Sequence, residues 1–222
     1  MVRNDEIALK PTVYVVEDDA VVRKSVCATF ESVGMVVRGF ATGQEFIDAY
    51  RDDPGCLVLD LRLSDISGLQ VIDKLKERYG QFPPTIIITG HGDVPTAVQA
   101  TRNGVLDFIE KPFHSQQLLA QTQRALEIDR VQRLERQRRN ELTNAISTLS
   151  IREKEVLDRL LAGQSNKRIA IELNLSDKTV ASHRANLLQK LSAESLVDLI
   201  RRLNPGAWDQ VTRVLDPNGS SS

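Results

Sequence analysis

Acidic side chains crowd two points at which apolar runs end. Glu17, Asp18 and Asp19 follow Val13 to Val16 in "VYVVEDDA", and Asp60 closes "CLVLD". A hydroxyl, Thr89, closes "TIIIT", and Lys111 follows the run Asp107 to Ile109 and precedes Pro112. Taken singly, these residues read as solvated loop charges or caps. Brought to one edge, the acids make an oxygen-rich pocket that repels itself unless a cation enters, and Mg2+ suits carboxylates that leave room for retained waters. A carboxylate not saturated by the ion can attack a phosphoryl group whose charge the ion neutralises. Asp60 is the candidate nucleophile, with the Lys111 ammonium and Thr89 hydroxyl as partners for phosphoryl oxygens. Because Lys-Pro bonds tolerate cis geometry, "KPF" offers a tight turn that aims the lysine inward.

The elements that must position these groups are legible from periodicity. Short β-branched runs at Val13 to Val16, Val36 to Phe40, Leu57 to Leu59, Thr85 to Thr89 and Asp107 to Ile109 alternate with amphipathic helical patterns. The helices fall at about Ala20 to Val33, Gly43 to Tyr50, Gly68 to Tyr79 and Val94 to Arg102. Five such units predict a parallel sheet covered by helices on both faces. Ligands of open parallel sheets sit beyond the carboxyl ends of the strands, where the acids, Thr89 and Lys111 all lie.

With 222 residues and 41% apolar side chains, the chain is long enough for two domains. It contains no run of eighteen apolar residues, and "MVRNDEIALK" lacks a signal-peptide pattern, so a cytoplasmic protein with no membrane partner is expected. Cys27 and Cys56 have neither metal-ligand spacing nor a disulfide framework and read as core or near-core residues. The net charge of -1 conceals an asymmetry: residues 1 to 125 carry 13 basic and 17 acidic side chains, the remainder 16 and 13. An acidic front joined to a basic back suggests a different partner for each half.

From Ser115 a breaker-free stretch reads as one extended helix with apolar residues such as Ile128, Val131 and Leu134 at three- and four-residue steps, fitting a helical linker with weak dimerising potential. Helical segments then follow at Ile151 to Ala162, Ser165 to Leu173, Ser176 to Leu191 and Ser195 to Leu203. Gly163 ends the first, and Ser165 and Ser176 are plausible N-caps. Only Asn174 and Leu175 separate the second and third, a helix-turn-helix signature. The tail "DPNGSSS" is expected to be disordered.

On these residues the front half resembles the receiver domain of bacterial two-component response regulators, and "TGHGDVPTAVQATRNGVLDFIEKPF" is more similar to the FixJ-, StyR- and TodT-like branch than to receivers at large. The resemblance implies a flavodoxin-like, doubly wound five-stranded parallel sheet of order 2-1-3-4-5. It implies Asp60 as phosphoacceptor, Asp18 as direct Mg2+ ligand, Glu17 acting through water, and the Arg62 backbone carbonyl completing the protein's share of the metal shell. Thr89 and Lys111 would hold the phosphate, and Phe108 occupies the family's switch-aromatic position. Two departures stand out: Glu17 where Asp is common, and Leu63-Ser64 where Met-Pro is common. Losing the proline leaves the loop after Asp60 less constrained.

The segment "LSIREKEVLDRLLAGQSNKRIAIELNLSDKTVASHRANLLQKLS" resembles the LuxR-type DNA-binding domain of the NarL/FixJ class. Residues 178, 181, 182 and 185 share a helical face opposite Val180 and Leu187, and that face should enter the major groove of double-stranded DNA. Ala181 and Ala185 stand where relatives often carry lysine, so base readout is expected to lean on methyl contacts and Ser182, beside Thr179. Phosphate contacts would fall to Lys167, Arg168, Lys178, Arg184, Asn186 and Lys190.

The resulting expectation is a receiver at 10–126, a helical linker at 127–146, a helix-turn-helix domain at 147–208 and a disordered tail at 209–222. A sensor histidine kinase would phosphorylate Asp60 with Mg2+. The receiver would then dimerise through the expected helix at 94–102 and the fifth strand, and paired DNA half-sites would be bound to control transcription, with activation the expected sign and RNA polymerase a further partner. Two alternatives differ in kind. A Mg2+-dependent phosphatase or phosphotransferase would need a general acid or base beside Asp60, and a phosphorylation-independent regulator would tolerate Asp60→Asn.

Overall fold

The computed structural model describes residues 10–90 and 104–203. The expected helix at 94–102, the dimer surface placed on it and the expected disordered tail lie outside the described residues. The chain divides into two compact units between Leu134 and Glu135.

In the first unit, β1 (Thr12–Val16), β2 (Val36–Phe40), β3 (Gly55–Asp60), β4 (Thr85–Thr89) and β5 (Asp107–Glu110) form one sheet of order β2-β1-β3-β4-β5. All four pairings are parallel. The central strands β3 and β4 are buried along their whole length, which explains why they read as continuous apolar runs without alternation. Helices α1 (Ala20–Glu31), α2 (Gly43–Ala49) and α3 (Gly68–Tyr79) return the chain between strands. One sheet face packs Tyr14, Val16, Leu57, Leu59 and Ile87 against Phe46, Val71 and Leu75. The other packs Val13, Val15, Val58, Ile86 and Ile88 against Val26, Phe30, Leu118 and Ala125. Alternation along each strand thus feeds two cores from one sheet.

Parallel register is what assembles the edge. Val16 pairs with Leu59, Asp60 with Ile88, and Thr89 with Glu110. Glu17, Asp60, Thr89 and Lys111 therefore leave adjacent strands at nearly one level.

Helix α4 (Ser115–Ser147) runs through the whole expected linker. Residues 127–134 group with the first unit and 135–146 with the second. Asp129, 3% exposed, explains the first grouping: its carboxylate accepts from the Gly55 N–H at 2.9 Å and from Arg133 Nε at 2.8 Å. Arg133 also donates to the carbonyls of Asp52 (2.7 Å) and Asp53 (2.8 Å), tying the helix to the amino end of β3.

The second unit contains α5 (Ile151–Leu161), α6 (Asn166–Leu173), α7 (Asp177–Lys190) and α8 (Leu196–Leu203). Val156, Leu160, Ile169, Val180, Leu187 and Leu199 make its core, with Leu142 and Leu149. Ser150, Ser165 and Ser176 each cap the following helix through the side-chain oxygen. The α6–α7 turn is made by Asn174 in the left-handed region (φ 54°), a conformation its side chain tolerates. Among the described residues no helix is long and apolar enough to cross a membrane. Cys56 is fully buried and Cys27 partly so.

Candidate functional site

Three carboxylates, from Glu17, Asp18 and Asp60, present oxygens all within 4.8 Å of one another. The third acid of the opening motif plays a different part, since Asp19 caps α1, its Oδ1 accepting from Val21 N (2.8 Å) and Val22 N (3.1 Å). These bonds hold the Asp19 carboxyl below the usual aspartate range. The side chain of Lys111 reaches into the cluster, placing Nζ 2.5 Å from Asp60 Oδ2 and 2.6 Å from Glu17 Oε2. The Lys111–Pro112 peptide is cis.

Charge in this pocket does not balance. Three carboxylates face one ammonium, which leaves two negative charges when all are ionised. Glu17 is 1% exposed, and burial drives its carboxyl above the usual glutamate range, with Asp60 adding to the rise and Lys111 opposing it. For Lys111, burial favours the neutral amine, but hydrogen bonds to Asp60 and Glu17 outweigh it and hold the ammonium above the ordinary lysine range. Both ends of the ion pair therefore shift upward, because Lys111 gains two carboxylates while at Glu17 burial outweighs an ammonium that is shared with Asp60. An oxygen-only donor set carrying a residual charge of two fits a hard divalent cation.

The turn after Asp60 is better held than its missing proline suggests. Arg62 N donates to Asp60 Oδ1 at 2.9 Å, Arg62 bridges Ser67, and Gly68 N donates to the Leu61 carbonyl at 2.9 Å. Asp65 accepts from Gly43 N (3.1 Å) and Gln44 N (2.9 Å), fastening the loop to the start of α2. Gly68 is required here, since a Cβ would stand 2.5 Å from the Asp60 carbonyl oxygen. The Arg62 backbone, expected to offer its carbonyl to a metal, thus lies in a closed turn.

Thr89 is buried, and its hydroxyl donates to the Gly90 carbonyl at 3.4 Å. Phe108 is partly buried against the core around Leu59 and Ile87.

In the second unit Lys178, Ala181, Ser182 and Ala185 are exposed or partly so along one side of α7, while Val180 and Leu187 are fully buried on the other. Lys167 and Asn186 are exposed and Arg184 partly buried. Three of the expected DNA contacts carry intramolecular bonds. Thr179 shares a hydroxyl hydrogen bond with Ser176 (2.8 Å), and Arg168 donates to Glu172 at 3.0 Å. Lys190 donates to Glu153 Oε2 at 2.8 Å. Glu153 also completes a capping box with Ser150, and its carboxyl is pulled down to about 2, first by Lys190 and then by the Ser150 N–H. The S-x-x-E spacing of Ser150 and Glu153 was a readable sign of this cap. The Glu153–Lys190 pair, separated by 37 residues, was not.

A five-stranded parallel sheet with an acid pocket at its carboxyl edge, followed by a helix-turn-helix, defines a phosphoacceptor module attached to a DNA-binding module. Comparison with known proteins agrees in both halves. The response regulator receiver domain family matches residues 13–123, and the luxR family of bacterial regulatory proteins matches residues 147–203. The chain belongs to the DNA-binding response regulators with a LuxR-type output domain. It is 40% identical to the response regulator protein TodT of Pseudomonas putida over 190 residues, covering 85% of this chain and 83% of TodT. It is also 40% identical to the transcriptional regulatory protein FixJ of Azorhizobium caulinodans over 190 residues, covering 85% of this chain and 90% of that one. Among solved structures, the response regulator StyR aligns at a TM-score of 0.77 and 36% identity, covering 88% of this chain and 99% of StyR. Phosphorylation-dependent control of transcription is the behaviour of this family, and it assigns the chain a sensor kinase as input and DNA as output target.

Proposed function

We propose that Asp60 is the phosphoacceptor of this regulator, served by Mg2+ held on Asp18, Asp60 and the Arg62 carbonyl, with Glu17 acting through water. The charge imbalance of the pocket supports this most directly: three carboxylates lie within 4.8 Å of one another, and the Lys111 ammonium pairs with two of them. When bound, Mg2+ supplies charge neutralisation for the transferring phosphoryl oxygens. An Asp60 carboxylate oxygen forms the new O–P bond as the N–P bond of the kinase phosphohistidine breaks and the imidazole leaves with the electron pair. Lys111 then transfers from Asp60 Oδ2 to a phosphoryl oxygen, and the Thr89 hydroxyl turns from the Gly90 carbonyl to donate to another. The space Thr89 vacates admits the Phe108 ring.

The receiver spans residues 10–126, the linker 127–146 and the DNA-binding domain 147–208. Phosphorylation promotes a homodimer through the β5 side of the receiver. Dimerisation places two copies of α7 on paired half-sites, because one small helix-turn-helix buries too little surface to bind specifically alone. Lys178, Ala181, Ser182 and Ala185 face the bases, beside Thr179. Lys167, Arg184 and Asn186 meet phosphates, joined by Arg168 and Lys190 at the cost of their bonds to Glu172 and Glu153. The chain acts in the cytoplasm, makes no membrane contact, works with RNA polymerase to activate transcription, and does not turn over small phosphoesters.

Light scattering and DNA-binding assays with Mg2+, with and without beryllofluoride, test this reading. Wild type is expected to dimerise and bind paired half-sites more tightly with the phosphate mimic, and Asp60→Ala to do neither. An oligomeric state and DNA affinity that ignore the mimic in both proteins contradict it.

A further inference from the structure

The acid pair sits on a backbone that a single side chain pins from outside the pocket. Arg23, one turn into α1, directs Nη1 back to the carbonyl oxygens of Glu17 (2.6 Å) and Asp18 (3.1 Å). Those carbonyls belong to the two peptide units that flank Asp18, so one guanidinium nitrogen fixes both peptide planes on either side of that residue. Asp18 is exposed, in contrast to buried Glu17, so packing does not set its carboxylate. Among the described residues, neighbouring bonds hold the ends of the loop: Glu17 N donates to the Phe40 carbonyl at 3.2 Å, and Asp19 is occupied as the cap of α1.

β2 provides the path for this side chain. Gly39 lies beside it, and a Cβ there would meet Arg23 Cγ at 3.4 Å and Cys27 Sγ at 3.1 Å. The bare backbone at Gly39 lets the aliphatic stem of Arg23 lie against the strand while its head reaches the loop, a division of labour that suits an amphipathic side chain.

We infer that Arg23 is a positioning residue for the phosphoryl-transfer site, locking the Glu17–Asp18 backbone so that the Asp18 carboxylate is held ready for Mg2+. This rests on the metal reading given above. Two physical effects of Arg23 on Mg2+ have opposite signs, which makes the role measurable. As a nearby cation, Arg23 repels the ion, and its removal would tighten binding. As a brace, it preorganises the ligands, and its removal weakens binding; loss of a group that orients metal ligands typically costs ten- to a hundredfold in affinity.

The test is calorimetric titration of the full chain with Mg2+ alone, comparing wild type with Arg23→Ala, Arg23→Gln and Arg23→Lys, alongside thermal melts and phosphorylation by acetyl phosphate across Mg2+ concentrations. Arg23→Ala and Arg23→Gln are expected to raise the Mg2+ dissociation constant by about tenfold, Arg23→Lys to raise it less, and all three to approach the wild-type phosphorylation rate once Mg2+ is saturating. If Arg23→Ala does not fold, Arg23→Lys and Arg23→Gln carry the comparison. Unchanged or tighter Mg2+ binding in folded variants, with saturable binding in wild type, overturns the brace and leaves the metal site standing. No saturable binding in wild type removes the metal site and the brace with it.

Discussion

Two glutamates among the described residues are almost completely buried, and each accepts a hydrogen bond from a lysine, yet their acidities move in opposite directions. Glu153, 4% exposed, has Lys190 and the Ser150 N–H, and its carboxyl falls to about 2. Glu17, 1% exposed, shares Lys111 with Asp60 beside a third acid, and its carboxyl rises above the ordinary range. Near-equal exposure hides the difference. At Glu17 desolvation is the largest influence and Asp60 adds to it, so the lysine it shares does not offset it, whereas at Glu153 the bonds from Lys190 and the Ser150 N–H outweigh desolvation. A satisfied acid stabilises the fold, and an under-compensated one suits a ligand site.

The Asp129–Arg133 pair extends the comparison: Asp129 is buried and accepts from the Gly55 N–H as well as from Arg133, whose partly buried guanidinium also pairs with Asp52 at 3.2 Å. Arg133→Ala is expected to have the largest effect, costing the first unit about 3–5 kcal/mol by stranding the Asp129 carboxylate without its counter-charge. Denaturant melts check the loss, and Mg2+ affinity should not change. A variant that melts like wild type would break the assignment of this pair to stability.

Glu153→Gln is next, at roughly 2 kcal/mol on the second unit, since a charge-assisted bond and part of a cap are both lost. The sign with pH follows from the lowered carboxyl. Its contribution is fully present above about 4.5 and is lost as pH falls toward about 2, so wild type and variant should converge in melts over that acid range.

Glu17→Gln should behave in the opposite sense. Without Mg2+ it should stabilise the first unit by roughly 1 kcal/mol, because it removes an under-compensated buried charge. Being raised, the Glu17 carboxyl costs stability above its folded value, and the cost is relieved as pH falls through that value toward 4.5. The rise in melting temperature caused by Mg2+ should therefore shrink over the same fall in wild type and be smaller in the variant throughout.

Ala185→Lys is expected to have the smallest effect. Restoring a cation on the α7 face should steepen the salt dependence of DNA binding by about one unit of slope while leaving stability unchanged. Filter or fluorescence titrations at several salt concentrations read this directly.

How much of this was legible in the sequence depended on the range of the interaction. The sheet and the pocket were visible because each site residue closes an apolar run, and parallel pairing alone then brings Glu17, Asp60, Thr89 and Lys111 together. Helix starts were visible where the capping residue is local, as at Ser165 and Ser176. Contacts between distant segments were not. Lys190 read as a free phosphate-binding cation because Glu153, its partner, lies 37 residues away in sequence, and Asp129 with Arg133 showed helical spacing but not the loop at 52–55 that they hold. Arg23 looked like any polar residue of an amphipathic helix. Its role appears only once the Glu17 and Asp18 carbonyls stand within its reach.

The central claim is that an unbalanced acid cluster at one sheet edge exists to let Asp60 carry phosphate with a divalent ion. Peptide mapping by mass spectrometry after incubation with acetyl phosphate, with Mg2+ or with a chelator, tests it most directly. One phosphoryl group per chain, on Asp60 and dependent on Mg2+, is predicted; label on another residue, or equal labelling of Asp60 in the chelator, contradicts it.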